Sequence, residues 1–176
     1  MASKGFIELL RLADRGLKRR KGTHTIDTNQ WLGVAFTLGS TQFVAPLGDI
    51  AEVLALPDVT PVPLAKSWMA GIANIRGRLL PIVNLSEFVG LPPSSVRSRD
   101  QKLLVIDQPK LFSGLVVDEV LGIQTFGQRH YEPVALSPES PLAIYTHGRF
   151  RQNEQIWYVF MPSLLAEDAD YLEAAL

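Results

Sequence analysis

A cluster of glycine, amide and guanidinium groups before the midpoint of this 176-residue chain has the clearest potential for chemistry. Gly71, Asn74, Arg76 and Gly77 lie there between runs of apolar residues. Asn74 and Arg76 are two positions apart, so on a strand they would project to the same face. Burying an arginine is costly unless a carboxylate pairs with it. Glu52, in an otherwise apolar stretch, is the natural partner.

Two interpretations of this pair stay open from the residues alone. A salt bridge between Glu52 and Arg76 could serve only to fix the fold. Alternatively, it could shape a surface that a partner protein recognises. Replacing Arg76 by alanine should unfold the protein in the first case and weaken binding more than stability in the second.

The motifs that common enzymes need are absent from the sequence. His24, His130 and His147 are far apart and match no metal-binding pattern. No nucleophile elbow, Walker loop or dinucleotide fingerprint occurs. Asp118 and Glu119 are neighbours, so on a strand they point to opposite faces and cannot share a proton. There is no cysteine, which excludes disulfides and thiolate chemistry. We predict a protein that is not an enzyme and has no cofactor and no metal.

Charge is unevenly distributed although the net charge is only −1. Residues 1–21 hold seven Lys and Arg against two acidic residues, so this segment carries +5 and the remainder −6. A basic N-terminal segment on an acidic domain suits binding to an acidic partner or a lipid surface, but the rest of the chain has no broad basic surface for nucleic acid. No apolar run reaches the roughly 20 residues of a membrane span, and the N-terminus is unlike a signal peptide. We therefore expect a cytoplasmic protein.

Periodicity predicts an N-terminal helix followed by a mainly β body. Apolar residues at helical spacing indicate an amphipathic helix over 4–20, and polar residues then form a linker. We accordingly divide the chain into a helix and linker, 1–30, and a main domain, 31–176. Short strands dominate the main domain, and a terminal amphipathic helix is predicted over 163–176.

The region around Arg76 is predicted to be a β-hairpin. Its strands are 72–76 and 79–85, and Gly77-Arg78 between them fits a type II′ turn. A further short strand is expected at 49–54 because Ile, Val and Leu are strand formers.

A weak internal repeat relates two parts of the main domain. Residues 34–54 and 103–123, offset by 69 positions, each predict a strand, a turn and a strand, then an acidic residue before Val-Leu. This favours two similar small β-barrels over one sandwich.

Ordered motifs in the chain resemble those of CheW-type coupling proteins. Residues 71–77, Gly-Ile-Ala-Asn-Ile-Arg-Gly, and 81–85, Pro-Ile-Val-Asn-Leu, resemble the signature Gly-x-x-Asn-x-Arg-Gly followed by Pro-x-x-Asp-Leu. Ile-Ala-Glu-Val at 50–53 matches the family's acidic strand, and 114–120 matches its Gly-Leu-x-Val-Asp-x-Val. The resemblance covers roughly 31–172. The positions of the tryptophans and the long N-terminal helix make the chain similar to members of the family branch that controls type IV pili and twitching motility.

This resemblance implies a mainly β fold of two intertwined five-stranded β-barrels, with an N-terminal and a C-terminal helix. It also implies a non-catalytic scaffold that bridges a chemoreceptor's cytoplasmic tip to the regulatory domain of a CheA-type histidine kinase, recruited to membrane-associated arrays. Carried over, Glu52 and Arg76 pair near a receptor-binding groove. The residues implied in coupling are Glu52, Ile72, Asn74, Ile75, Arg76, Gly77, Val117 and Asp118.

The sequence departs from the family pattern at two positions. Asn84 replaces the usual Asp before Leu85, and Phe160 replaces an Asp or Asn, which puts the local caps in question.

Two alternative functions stay open. One alternative is a flagellar or general CheW-type adaptor, for which deletion of 1–21 should matter little. Another, from a different class, is a membrane-surface or nucleic-acid-binding module acting through the basic helix.

Overall fold

The structure, a computed structural model, describes residue 9, residues 30–134 and residues 136–174. Strands account for most of the regular structure in these residues. The strands are β1 (Gln30–Leu38), β2 (Thr41–Pro46), β3 (Glu52–Ala55), β4 (Met69–Ile75), β5 (Arg78–Asn84), β6 (Lys102–Gln108), β7 (Leu111–Val117), β8 (Glu119–Gly127), β9 (Tyr131–Glu132), β10 (Thr146–Gln152) and β11 (Gln155–Phe160). The helices are short: α1 (Leu85–Phe88), α2 (Pro162–Leu165) and α3 (Ala169–Ala174), with 3-10 turns at Leu47–Asp49, Ser98–Asp100, Gln128–His130 and Ala143–Tyr145.

The strands form two curled sheets that exchange an edge strand. The first sheet has the order β8-β1-β2-β11-β10-β9 and the second β3-β6-β7-β5-β4. Strand β3 follows β2 in the chain but pairs with β6, and β8 follows β7 but pairs with β1. The predicted intertwined pair of β-barrels is therefore confirmed, although two-residue β9 gives the first sheet a sixth strand. The internal repeat of 34–54 and 103–123 corresponds to β1-β2-β3 and β6-β7-β8.

Alternation along the strands creates one core shared between the two barrels and a further core inside each barrel. In β1, Val34 and Phe36 face the shared core, and Trp31 and Ala35 face the other way. In β6 the shared core receives Leu104 and Ile106, and the opposite face receives Leu103 and Val105. Burial of these apolar side chains is the main source of stability.

The interior of the first barrel is aromatic and also contains Leu9 from the N-terminal segment. The Phe150 ring centroid lies 5.2 Å from that of Trp31 and 4.6 Å from that of Phe126. Leu9, which is helical, is fully buried in this cluster. The rest of the predicted helix and linker, 1–30, lies outside the described residues except for Gln30, which begins β1.

The predicted single helix over 163–176 is wrong, because α2 ends at Leu165 and α3 begins at Ala169. Asp168 accounts for the break. Its Oδ1 accepts a hydrogen bond of 3.1 Å from the Tyr171 amide, and its Oδ2 accepts one of 2.5 Å from the Tyr145 hydroxyl. Short polar side chains favour such a capping role over a helix interior.

The predicted turn of the β4–β5 hairpin is also wrong by one residue. Ile75 pairs with Arg78, so Arg76-Gly77 forms the turn, with φ of 52° and 81°. Two positive φ values are the type I′ pattern rather than type II′. The Asn74 side chain stabilises this turn, because its Oδ1 accepts a 2.9 Å hydrogen bond from the Gly77 amide. Arg76 is therefore not on the strand, and the expected common face with Asn74 does not exist.

The strand predicted at 49–54 begins only at Glu52. Residues Leu47–Asp49 form a 3-10 turn instead. Ile50 uses its apolar side chain in the shared core, so its hydrophobicity reflects burial rather than strand pairing.

Candidate adaptor site

Gly71 allows β4 to approach the preceding segment closely. Thr60 exchanges two backbone hydrogen bonds of 2.9 Å with Ile72. At Gly71, where φ is 144°, a Cβ atom would lie 2.2 Å from the Thr60 carbonyl oxygen. Only glycine fits there, so the first motif glycine is explained by backbone geometry.

The predicted ion pair between Arg76 and Glu52 is present. The Arg76 Nη1 atom contacts the Glu52 Oε1 atom, which links the β4–β5 turn to the edge strand β3. The Arg76 side chain is 76% exposed, whereas that of Glu52 is 25% exposed. The Glu52 Oε2 atom is buried and has no hydrogen-bond partner among the described residues. The pair thus presents most of a guanidinium group to solvent above a largely buried carboxylate.

Two neighbouring residues that the sequence analysis did not assign to the site, Arg78 and Leu79, extend it. Arg78 makes a 2.6 Å ion pair with Asp107, and its guanidinium carbon lies 3.8 Å from the centre of the Phe112 ring. Leu79 is 67% exposed and stands opposite Asn74. Leu79 and Leu80 are consecutive, so on a strand they point to opposite faces and only one can enter the core, which is a signal that was available in the sequence. We call Glu52, Asn74, Arg76, Arg78 and Leu79 the hairpin-tip surface.

The isoleucines of β4 lie on opposite faces. Ile72 stands opposite Pro81 on the face that carries Asn74 and Leu79, and it is half-buried. Ile75 packs against the aliphatic cluster inside the second barrel. Of the two, Ile72 alone adjoins the exposed part of the site.

Val117 and Asp118 lie elsewhere, at the junction of the two sheets. Val117 is fully buried in the shared core, and Asp118 is 4% exposed. Asp118 Oδ2 accepts a 2.7 Å hydrogen bond from the Gly39 amide. Its Oδ1 accepts one from the Ser94 hydroxyl and one of 3.4 Å from Gln101 Nε2. The structure therefore separates both residues from the hairpin tip, and they position other groups rather than contact a partner there.

A second buried aspartate occupies the matching place in the other half. Asp49 is 7% exposed, and its Oδ1 accepts a 3.2 Å hydrogen bond from Gln108 Nε2. Burial raises the pKa of Asp49 to about 6, and the hydrogen bond from Gln108 offsets only part of this rise.

The substitution at Asn84 preserves the cap that the family motif suggests. Asn84 is the N-cap of α1, and its Oδ1 accepts a 3.2 Å hydrogen bond from the Glu87 amide. Asn and Asp serve equally well as N-caps, so this departure leaves the local geometry intact.

The described residues contain no group of three or more His, Asp or Glu side chains able to hold a metal ion. In the same part of the chain, no helix combines the length and apolar character needed to cross a membrane.

Comparison with known proteins now assigns a family. The CheW-like domain model matches residues 32–170, which include both sheets and the hairpin tip. The chain belongs to the CheW-like family. Proteins of this family are non-catalytic scaffolds, and this CheW-like chain is a coupling adaptor of the chemotaxis type.

Relatives of this CheW-like chain include proteins of two kinds. Protein PilI of Pseudomonas aeruginosa is 40% identical over 146 residues, which cover 83% of this chain and 81% of PilI. Chemotaxis protein CheW of Treponema pallidum is 28% identical over 144 residues, covering 77% and 82% of the two chains. The similarity to PilI confirms the narrower resemblance predicted from the motifs.

A solved structure agrees with the fold of this CheW-like chain. The crystal structure of the scaffolding protein TtCheW from Thermoanaerobacter tengcongensis superposes with a TM-score of 0.66 at 19% identity. The match covers 74% of this chain and 88% of that one.

Proposed function

We propose that this CheW-like adaptor couples a methyl-accepting chemoreceptor to a CheA-type histidine kinase in a system that controls type IV pili and twitching motility. The similarity to PilI over most of both chains supports the pilus branch. The proposal places the protein in the cytoplasm, at membrane-associated receptor arrays, and gives it no catalytic step.

The ion pair between Arg76 and Glu52 is the observation that carries a binding role for the hairpin tip. Because the Arg76 side chain is mostly exposed, solvent screens its interaction with Glu52, and such pairs contribute only about 0–1 kcal/mol to stability. Arg76 also has a left-handed backbone conformation, with φ of 52°, which costs a non-glycine residue about 1 kcal/mol. These effects roughly cancel, so stability alone does not account for an arginine at this turn.

The composition of the hairpin-tip surface also supports a protein partner. It combines two guanidinium groups with an exposed leucine, and arginine is over-represented at protein interfaces. Because β3 and the β4–β5 turn both contribute, the ion pair fixes the relative position of two elements at the surface. We assign this surface to the receptor, and the kinase domain to a surface on the first sheet.

An NMR titration tests both assignments. Isotope-labelled protein is titrated separately with an unlabelled chemoreceptor tip fragment and with the regulatory domain of the cognate kinase. We expect the receptor fragment to shift amide signals at residues 52–85 and the kinase domain to shift a separate set in the first sheet. If neither partner shifts any signal, the coupling function is wrong for this chain.

Arg76→Ala with a matched control tests the role of the ion pair. We expect this variant to lose at least tenfold in receptor affinity, as at a binding hot spot, while unfolding at nearly the wild-type denaturant concentration. Arg151→Ala is the control, because Arg151 is half exposed and pairs with Glu132 at 3.0 Å in the first sheet. The control should leave receptor affinity unchanged. Unfolding of Arg76→Ala, with Arg151→Ala stable, would instead support the purely structural interpretation.

The burial of Leu9 bears on the alternative functions. A helical residue packed into the core of the first barrel favours a segment docked on its own domain over a free basic helix. A membrane-surface or nucleic-acid-binding module predicts salt-dependent sedimentation with anionic vesicles or oligonucleotides, which we do not expect. A general or flagellar adaptor predicts unchanged coupling after deletion of 1–21.

A further inference from the structure

A cavity at the junction of the two sheets has a composition that neither the fold nor the coupling function explains. Its volume is about 280 Å³, and it lies between the β1–β2 turn, the loop after α1 and the loop before β10. Its lining residues are Leu38, Gly39, Ser40, Thr41, Phe43, Ser86, Leu91, Pro92, Pro93, Ser94, Ser95, Asp118, Leu136, Ser140 and Leu142.

The cavity has an exposed mouth and a buried floor. Gly39, Ser40 and Ser95 at its mouth are exposed. Leu38, Phe43 and Asp118 at its floor are each less than 5% exposed. A small molecule or a single side chain can therefore enter from solvent and reach the Asp118 carboxylate.

The only charged lining residue in the described part of the chain is Asp118. Three neutral groups donate hydrogen bonds to it, from Gly39, Ser94 and Gln101. No ion pair of the described residues includes Asp118. Neutral donors orient a carboxylate but leave its charge in place, and a buried charge without a counter-charge is costly. A cation entering the cavity would supply the missing counter-charge.

The remaining walls define the size and shape of such a cation. Five serine side chains line the cavity and provide hydroxyl oxygens that accept hydrogen bonds. Leucine, phenylalanine and proline side chains provide apolar contact. Pockets for drug-sized ligands span about 300–1,000 Å³, so this volume of about 280 Å³ accommodates a group smaller than a typical drug-sized ligand.

We propose that this cavity binds a guanidinium or ammonium group on a short aliphatic stem, with Asp118 as its counter-ion. The charged head lies against the Asp118 carboxylate, and the serine hydroxyls accept the remaining N–H groups. The stem contacts Leu38, Phe43 and Leu142. The group belongs either to a free organic cation or to an arginine or lysine side chain of a partner protein.

An NMR titration of the full chain with ethylguanidinium chloride tests this proposal. Ionic strength is held constant with NaCl, and ethylurea serves as the neutral probe of the same shape. We expect saturable shifts at the amides of Gly39, Ser94 and Ser95 with ethylguanidinium and none with ethylurea. Equal shifts with ethylurea, or shifts that never saturate, would overturn the proposal.

Matched variants locate the binding. Asp118→Asn should weaken ethylguanidinium binding by about tenfold or more, as expected for loss of a charge-assisted hydrogen bond. Glu119→Gln makes the same change in net charge at the exposed neighbouring residue and should leave affinity unchanged. Ser140→Leu fills the cavity without altering Asp118, so it should block binding even if Asp118→Asn does not fold. Unchanged affinity in Ser140→Leu would show that the probe binds elsewhere and would refute the assignment.

A competition arm distinguishes the two sources of the cation. The chemoreceptor tip fragment, and separately the kinase regulatory domain, is added to protein saturated with ethylguanidinium. Displacement of the probe would assign the cavity to an arginine or lysine of that partner. Simultaneous binding of probe and both partners would assign it to a free organic cation. The probe titration itself does not depend on receptor coupling, so it can succeed or fail independently of the proposed function.

Discussion

The two halves of the molecule repeat one plan, and their equivalent positions differ where function is proposed. Hairpin β4–β5 in the second sheet corresponds to β10–β11 in the first, because the second strand of each pairs in parallel with the second strand of another hairpin, β5 with β7 and β11 with β2. Both turns contain two positive φ values, at Arg76-Gly77 and at Asn153-Glu154, 77 positions later. The backbone is thus repeated, but the arginine is not.

The acidic edge strands show the same contrast. Glu52-Val53-Leu54 begins β3, and Glu119-Val120-Leu121 begins β8. Glu52 pairs with Arg76, whereas Glu119 is exposed and takes part in no ion pair among the described residues. A repeated fold therefore needs neither the arginine nor the pair, which supports a role for them in recognition.

The two buried aspartates at the junction of the sheets, Asp49 and Asp118, make equivalent contacts in the two halves. We call them the junction aspartates. Asp49 receives its hydrogen bond from Gln108 at the end of β6, and Asp118 receives one from Gly39 in the β1–β2 turn. Both donors and both acceptors are 69 positions apart. Each half therefore sends a buried carboxylate to the hairpin of the other half, and this reciprocal contact holds the exchanged edge strands in place.

Truncations in the cores of the two barrels should differ most in their effect on stability. Leu9→Ala removes a fully buried side chain from the aromatic cluster of the first sheet, so we expect a loss of about 2–5 kcal/mol in the free energy of unfolding. Leu56→Ala is the counterpart in the second sheet, where Leu56 is only half-buried, and should cost less. Urea unfolding measures both. A loss below about 1 kcal/mol for Leu9→Ala would contradict the docking of this segment.

Gly71 in β4 and Gly148 in β10 are equivalent positions, and replacing them should destabilise the two halves to different extents. A Cβ atom at Gly71 would meet the Thr60 backbone oxygen at 2.2 Å, whereas at Gly148 it would meet the Tyr131 hydroxyl oxygen at 2.3 Å. A backbone atom cannot move aside as a side chain can. We therefore expect Gly71→Ala to cost about 2–4 kcal/mol and Gly148→Ala clearly less. Thermal unfolding of both variants gives the ranking, and the reverse order would show that the Thr60 segment yields easily.

The junction aspartates should respond to substitution with opposite signs. The pKa of Asp49 is raised from 3.8 to about 6, so the folded state holds a proton that the unfolded state has lost between these values. Stability contributed by this group therefore falls as pH rises through that window. Asp49→Asn should raise the free energy of unfolding at pH 7 by up to about 3 kcal/mol and by little at pH 4.

Asp118→Asn should instead destabilise, because three donors face that carboxylate. Urea unfolding at pH 4, 5.5 and 7 compares the two variants. A constant effect of Asp49→Asn across this range would rule out a raised pKa as its cause.

Local sequence patterns predicted the hairpins and the repeat but not the exchange of strands between sheets. The strand, turn and strand predicted within 103–123 correspond to β6, a turn at Pro109-Lys110 and β7. The strands β8 and β10 were missed, because exposed polar residues interrupt their apolar pattern. Edge pairing depends on contacts remote in sequence, which a local period does not reveal.

The candidate site was predictable in its members but not in its geometry. Opposite charges in an apolar context indicated the pair of Glu52 and Arg76. The turn was placed one residue late because glycine at its first position also fits a type II′ turn, and only the register of Ile75 with Arg78 decides between the two. Asp118 came from the family resemblance, and its place at a cavity depends on three loops that the sequence does not bring together.

The smallest expected effect concerns the ion pair itself. A double-mutant cycle of Glu52→Gln and Arg76→Ala should give a coupling energy of about 0.2–1 kcal/mol, because Arg76 is mostly exposed. The coupling should fall in 1 M NaCl, where the screening length is about 3 Å. The equivalent cycle of Glu119→Gln and Asn153→Ala should give a value near zero. Urea unfolding of the wild type, the four single variants and the two double variants measures both cycles. A coupling above about 2 kcal/mol would exceed what an exposed pair provides. Arg76 would then be a structural residue, and the recognition role of the hairpin tip would lose its main support.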